Sequence, residues 1–250
     1  MEIKDIKVSF AITTHNETDS LTNLLAQIST LCTVFDEVVI IDDFSTNDET
    51  KTILDTATKG GAKIFQHALN SDFATHKNFL TEKCRGDYIF NIDADELLSE
   101  KLASTFREIL SINPDVEMHK LPRINKVDGL TLDHIKKWGW QISTLRTEIE
   151  KRVLLPESDE FKVVKSSNMA IKEEGANIVE FYTPIVNFPD YQSRIYKRLD
   201  YIRWQNTVHE TLIGFKKFAK FPAVPIYSLI HHKKIDNQQN QNDFYATIKG

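Results

Sequence analysis

The sequence predicts an α/β fold: a mostly parallel central sheet flanked by helices, with a smaller C-terminal subregion. Three observations carry this. As far as Leu110, apolar runs of strand length alternate with helix-period segments, joined by short connections. Three of these runs stop at polar clusters: Thr13 to Glu17, Asp42-Asp43, and Asp93 to Glu96. In a parallel sheet with right-handed crossovers such strand ends share one rim, where ligands bind.

Val8–Thr13 is read as a buried strand. Asp19 or Ser20 caps the next helix, whose stripe is Leu21, Leu24, Leu25, Ile28 and Leu31. Glu37–Ile41 is a second strand. Phe44 to Asp48 is turn and cap chemistry, and Glu49–Thr58 a helix closed by Gly60-Gly61. A short strand over Ala62–Gln66 and a helix from Phe73 to Cys84 follow. Gly86-Asp87 turns the chain into a strand from Tyr88 that carries Asp93, Asp95 and Glu96. Leu97–Leu110 reads as a helix. Beyond it the rhythm changes. Glu117–Lys126 looks like a strand, placed at an edge because of Pro122. Leu132–Lys137 reads as a helix. Leu155–Glu180 is polar and aperiodic, an excursion or mobile loop. Order returns at Gln192–Lys197, and Phe221–Ile230, with two prolines, reads as another edge strand ending at His231-His232. The tail from Asp236 is either a short docking helix or a frayed end.

With 250 residues and no strong linker, the chain is read as one domain. Residues 1–114 or so form a nucleotide half, 115–235 an acceptor half, and 236–250 a tail. A net charge of −5 gives no case for nucleic-acid binding. Cys32 and Cys84 lie far apart, which argues against a disulfide framework or a zinc knuckle. There is no signal-peptide core and no apolar run near the ~20 residues that span a bilayer. The expected location is cytoplasmic, peripheral at the inner membrane face if the protein works on a membrane. The sequence leaves the oligomeric state open.

Asp93 and Asp95 sit two apart, which on an extended segment points both side chains the same way. Like charges side by side need a positive partner. A divalent cation carrying phosphate oxygens would supply it; a plain strand end capping the next helix is the competing reading.

Several motifs resemble those of family 2 glycosyltransferases with the GT-A fold. They are Thr13-Thr14-His15-Asn16-Glu17, Val39 to Asp48 with Asp42-Asp43, Phe73 to Asn78, and Asn91 to Glu96 with Asp93-Ala94-Asp95. Trp204-Gln205-Asn206-Thr207-Val208-His209-Glu210 resembles a Trp-x-x-x-Val-His-Glu motif of a bacterial and phage subgroup. The likeness covers residues 6–110 and, by motif, 190–235. His15, Phe44 and Lys77 depart from the usual Tyr, Gly and Arg. Phe44 makes a left-handed backbone costly there, so a differently shaped loop is expected.

The resemblance implies an inverting, metal-dependent enzyme that moves a sugar from a nucleotide-diphosphate sugar, a UDP-sugar first, to the hydroxyl of a glycan or glycolipid acceptor. It implies Asp95 and a late histidine, His231 or alternatively His232, as ligands of Mn2+ or Mg2+. Thr13, Glu17, Asp43, Lys77 and Asp93 would bind the nucleotide, with the choice between Asp42 and Asp43 open for the base. Glu210 is the expected general base, with His209 orienting the acceptor or taking that role itself. Trp138, Trp140, Trp204 and Tyr191 could offer flat faces to a sugar, Trp204 before the others. Two rival functions are a nucleotidyltransferase and a non-catalytic binding module. The first is disfavoured because Thr13 to Glu17 has no Gly, Lys or Arg; the second, because the carboxylates are all retained.

Overall fold

The computed structural model describes residues 6–141, 143, 149–154, 161–164, 177–182 and 185–248. The first half runs β1 (Val8–Thr14), α1 (Asp19–Leu31), β2 (Glu37–Asp42), α2 (Asp48–Lys59), β3 (Lys63–Gln66), α3 (Phe73–Lys83), β4 (Tyr88–Asp93), β5 (Glu96–Leu98) and α4 (Glu100–Ile112). Then come β6 (Met118–Asp128), α5 (Leu132–Trp138), β7 (Ile149–Leu154), β8 (Phe161–Val164), β9 (Asn177–Tyr182) and β10 (Ile185–Lys197). The chain closes with β11 (Arg203–Gln205), β12 (Thr211–Ile213), β13 (Phe218–Lys220), β14 (Leu229–Lys234) and α6 (Ile235–Ile248).

The main sheet has the order β3-β2-β1-β4-β10-β6-β14-β5, with β13 on β6. Only β10 and β5 run against the other strands. The sheet is therefore mostly parallel, as expected, and both predicted halves contribute strands to it. Thr13 pairs with Ile41 on one side and Asp93 on the other, and Thr14 pairs with Asp42. The three polar strand ends lie level on one rim.

Alternation along the strands divides the core. Phe10, Ile12, Phe90 and Ile92 face α1 and α4, where Leu24, Ile28, Leu102 and Phe106 bury against them. Phe10, Phe90 and Phe106 form a ring cluster with centroids 5.5–6.2 Å apart. Ala11, Val39, Ile41 and Ile89 face the other way, onto Leu80, Tyr196 and Trp204. Each large side chain so buried contributes about 1.5–3 kcal/mol relative to exposure.

Five expectations need correction. Leu97 and Leu98 belong to β5, pairing with β14, and the helix starts at Glu100. β6 is internal, with β10 on one flank and β13 then β14 on the other. Pro122 is tolerated because it falls in the gap between Lys120, the last partner of β13, and Arg123, the first of β14. The prolines of Phe221–Ile230 precede the strand: Pro225–Tyr227 is a 3-10 turn, and β14 carries His231 in its middle, between β5 and β6. Within 155–180, β8 and the start of β9 pair with β7 as a small antiparallel sheet rather than a loop; the rest of that segment lies outside the described residues. Phe44 does adopt the left-handed backbone, at φ 48°. The tail, left open between helix and frayed end, is helix α6. No helix among the described residues is long and apolar enough to cross a membrane.

Candidate functional site

A cleft of about 1170 Å³ opens above the rim. It is lined by Thr13, Glu17, Asp43, Lys77, Asp93, Asp95, His209, Glu210 and His231, so every candidate for nucleotide, cation or proton transfer meets in one place.

At the β2 end, two adjacent aspartates divide the work. Asp42 is buried and accepts the Ser45 amide at 3.0 Å, closing the turn that holds Phe44 in its strained conformation. Asp43 lines the cleft and accepts the Leu69 amide at 2.9 Å. His15 meets the Asp43 carbonyl through Nδ1 at 2.7 Å, and the Asn16 carboxamide lies 2.9 Å from its Nε2. A carbonyl only accepts, so Nδ1 carries the proton. Glu17 accepts from Ser20 Oγ at 2.5 Å.

Asp93 and Asp95 both line the cleft but differ in backbone setting and partners. Asp93 ends β4, but Asp95 sits in the turn to β5, so the extended-strand premise fails at Ala94. Asp93 Oδ2 accepts from Arg194 Nη2 at 2.5 Å, and Lys77 Nζ stands 3.7 Å from Oδ1. Burial works against its charge, yet Arg194 and then Lys77 hold the carboxyl well below the usual range. Asp95 Oδ2 lies 3.1 Å from His231 Nε2 and 3.2 Å from Lys233 Nζ. There too the positive partners outweigh burial and lower its pKa. The protein's own cations thus supply the charge these carboxylates need.

The hydrogen bonds behind His231 fix its chemistry. Asn125 Nδ2 donates to Asp190 Oδ2 at 2.9 Å, which turns Asn125 Oδ1 toward His231 Nδ1, also at 2.9 Å. Nδ1 must donate, so in the neutral ring the lone pair on Nε2 faces the Asp95 carboxylate. Two acceptors at 3.1 Å require a positive centre between or beside them, a proton or a metal ion. Two bonds of about 2.1 Å at a right angle span about 3.0 Å, so the donor pair fits adjacent positions on an octahedral ion. Among the described residues no third His, Cys, Asp or Glu joins them. His232, the other candidate, pairs with Asp128 at 2.8 Å instead.

Glu210 reaches the cleft from the β11–β12 hairpin. Asn78 pins that hairpin to α3, donating to Trp204 O at 2.9 Å and accepting from Trp204 N at 2.8 Å. Thr207 O accepts the Phe73 amide at 2.9 Å. Lys77, only 8% exposed, donates to Glu210 Oε1 at 2.6 Å and lies 4.8 Å from the Trp204 ring centroid. It is no solvated helix lysine. His209 holds a left-handed backbone at φ 54°.

The aromatic expectations mostly fail. Trp204 is 5% exposed, in the core, with Nε1 donating to Tyr196 OH at 3.2 Å. Tyr191 donates to Phe221 O, and Trp138 stacks on His134. Of the four only Trp140 lines the cleft. Sequence reasoning missed Arg194, Arg123, Asn125, Asp190 and Lys233, and placed Glu96 on the rim without a partner. Arg194 is 2% exposed and also donates to Glu96 Oε1 at 2.6 Å; Arg123 donates to the same oxygen at 3.1 Å and to Asp190 at 2.7 Å. Lys233 was within reach, because two residues after His231 on a strand it shares the same face.

A family model described as glycosyl transferase family 2 matches residues 9–167, well over half the chain, and the chain belongs to that family. Curated relatives include an undecaprenyl-phosphate 4-deoxy-4-formamido-L-arabinose transferase of Aeromonas hydrophila, 35% identical over 101 residues (38% of this chain, 31% of the relative). A protein of the same name from Pseudomonas fluorescens is 30% identical over 93 residues (35% and 27%). The match thus spans less than a third of those relatives' length. A solved structure, the mannosyltransferase PcManGT from Pyrobaculum calidifontis in complex with GDP-Man and Mn2+, aligns at 20% identity and TM-score 0.39 (46% of this chain, 35% of that one).

Proposed function

We propose that the chain is a cation-dependent, inverting glycosyltransferase that moves a sugar from a nucleotide-diphosphate sugar, a UDP-sugar first, to an acceptor hydroxyl. The observation that carries it is the pairing of Asp95 with His231 in the same cleft as Glu210 and Asp43. Family membership supports the transfer chemistry. We read the described chain as one domain, with the nucleotide on β1, β2 and β4 and the acceptor toward β10 and α6.

Asp95 and His231 would hold Mn2+ or Mg2+, which stabilises the negative charge gathering on the departing diphosphate. Asp43, Thr13 and Glu17 meet the nucleoside at the strand ends. Arg194 holds Asp93 toward the cleft. Lys77 occupies one oxygen of Glu210, leaving Oε2 to take the acceptor's proton as the new bond forms. His209 orients the acceptor beside it. We read Lys77 as the residue that orients Glu210 and neutralises charge between it and Asp93.

The test is a pair of variants assayed for nucleotide-sugar transfer and hydrolysis, with nucleoside-diphosphate binding followed as a rise in Tm. Asp95→Asn should lose the Mn2+-dependent part of binding. Glu210→Gln should keep binding while turnover falls about 10²–10⁴-fold. Unchanged turnover in either variant would refute the reading.

A further inference from the structure

The cleft extends past Asp95 on the acceptor side, beyond the residues given a role in the transfer step. Its walls come from α6, from β10, and from the segment after α5. Lys233 Nζ joins Asp95 to α6 by donating to Gln241 Oε1 at 2.9 Å. Gly129, at φ 81°, lets the start of α6 pack close: an added Cβ would lie 3.0 Å from Ile235 Cγ2. The segment carrying Trp140 is zipped to β10, with Gln141 N donating to Asn187 Oδ1 at 2.9 Å and Asn187 N to Gln141 O at 2.8 Å. Trp138 braces the Trp140 ring, with centroids 4.8 Å apart.

Carboxamides dominate the lining here, beside the charged or titratable Asp128, His232, Lys233 and Lys234. Trp140, Asn187, Gln192, Asn237, Asn240 and Gln241 all line it. The indole N–H of Trp140 and the carboxamides of Asn237 and Asn240 make no hydrogen bond among the described residues. Each carboxamide offers both a donor and an acceptor, as a hydroxyl does. An indole face suits the C–H face of a pyranose. The aliphatic residues lining this end are Val127 and Val186. That is a poor trough for a polyprenyl chain and a good one for a polyhydroxylated ring.

We propose that Trp140 and the carboxamides of β10 and α6 form a pyranose-binding subsite for the acceptor, so that the accepting hydroxyl belongs to a saccharide. This rests on the glycosyltransferase reading above.

The protein, labelled with 5-fluorotryptophan, reports Trp138, Trp140 and Trp204 as separate 19F resonances. It is saturated with UDP or GDP and Mn2+, whose binding, followed separately as a Tm rise, tests the parent reading. Methyl glycosides of glucose, galactose, mannose, N-acetylglucosamine and rhamnose are titrated, beside citronellyl phosphate as the lipid-phosphate probe. The expected result is that at least one glycoside moves the Trp140 resonance and leaves that of buried Trp204 in place. Asn237 and Asn240 are exposed, so Asn237→Leu with Asn240→Leu should keep Tm while weakening that glycoside at least five-fold. No response to any glycoside overturns the proposal, as does a response to citronellyl phosphate alone. A response only to intact nucleotide-sugars also overturns it, by giving the subsite to the donor sugar.

Discussion

Replacing Arg194 with methionine removes a guanidinium that is 2% exposed and that bonds Asp93 at 2.5 Å, Glu96 at 2.6 Å and Asn91 at 3.3 Å. Methionine fills much of the volume, so the cost comes from the carboxylates left behind. Glu96 is fully buried and would keep Arg123, at 3.1 Å, and the Asp93 amide, at 3.3 Å. Asp93 would keep Lys77, at 3.7 Å. Breaking a buried pair by removing one partner costs about 3–5 kcal/mol. The surviving cations favour the lower end of that range. For a chain of this size each kcal/mol moves Tm by about 2–4 °C, so a fall of roughly 6–12 °C is expected. Urea denaturation and calorimetry measure it. Adding Glu96→Gln should recover part of the loss, with a coupling energy of at least about 1 kcal/mol. A loss below about 1 kcal/mol for Arg194→Met, or additive behaviour of the pair, would refute the view that Arg194 neutralises carboxylates out of reach of water.

Two further predictions concern stability. His119 is 1% exposed, neither ring nitrogen has a hydrogen-bond partner among the described residues, and burial pushes its pKa down to about 4. The unfolded chain, with its His near 6.5, then binds the proton more tightly, so the associated stability is complete above about pH 6.5 and falls away toward pH 4. The loss attributable to His119 between pH 7 and pH 5 is about 2 kcal/mol, and His119→Leu should flatten that slope in denaturation curves at the two pH values. Gly214→Ala places a Cβ 1.8 Å from Tyr201 O at φ 91°, so Tm should drop and the hairpin bearing Glu210 should lose protection in hydrogen exchange; an unchanged exchange pattern would show that the close approach is not needed.

The part of the site that was legible in the sequence is the part written in strand ends. Parallel strands place their carboxyl termini on one rim, so Thr13, Asp43 and Asp93 follow from order alone. His231 and Glu210 came from motif likeness, and both stand in the same cleft. What stayed hidden depends on pairings between distant strands. Nothing near Arg194 in sequence announces that β10 inserts against β4, with Ile195 opposite Phe90 and a guanidinium brought to Asp93. Pro122 misled because a proline in a strand signals an edge, whereas β6 changes partner at that point and keeps both flanks covered. Trp204 misled because an aromatic beside a candidate site loop can brace that loop from behind.

Those hidden residues change the meaning of Asp93-Ala94-Asp95. A pair of aspartates aimed together would need an ion simply to coexist. Here a turn at Ala94 lies between them, and each already has a protein cation beside it: Arg194 and Lys77 for Asp93, Lys233 for Asp95. The fold therefore does not depend on a metal to neutralise this stretch. A cation bound at Asp95 and His231 would have to displace a proton or the Lys233 ammonium, and a diphosphate offers both the cation and Lys233 new oxygen partners. On that reasoning the cation is held best together with the nucleotide. The same exchange would release Gln241 from Lys233, joining the diphosphate end of the cleft to the carboxamide face of α6.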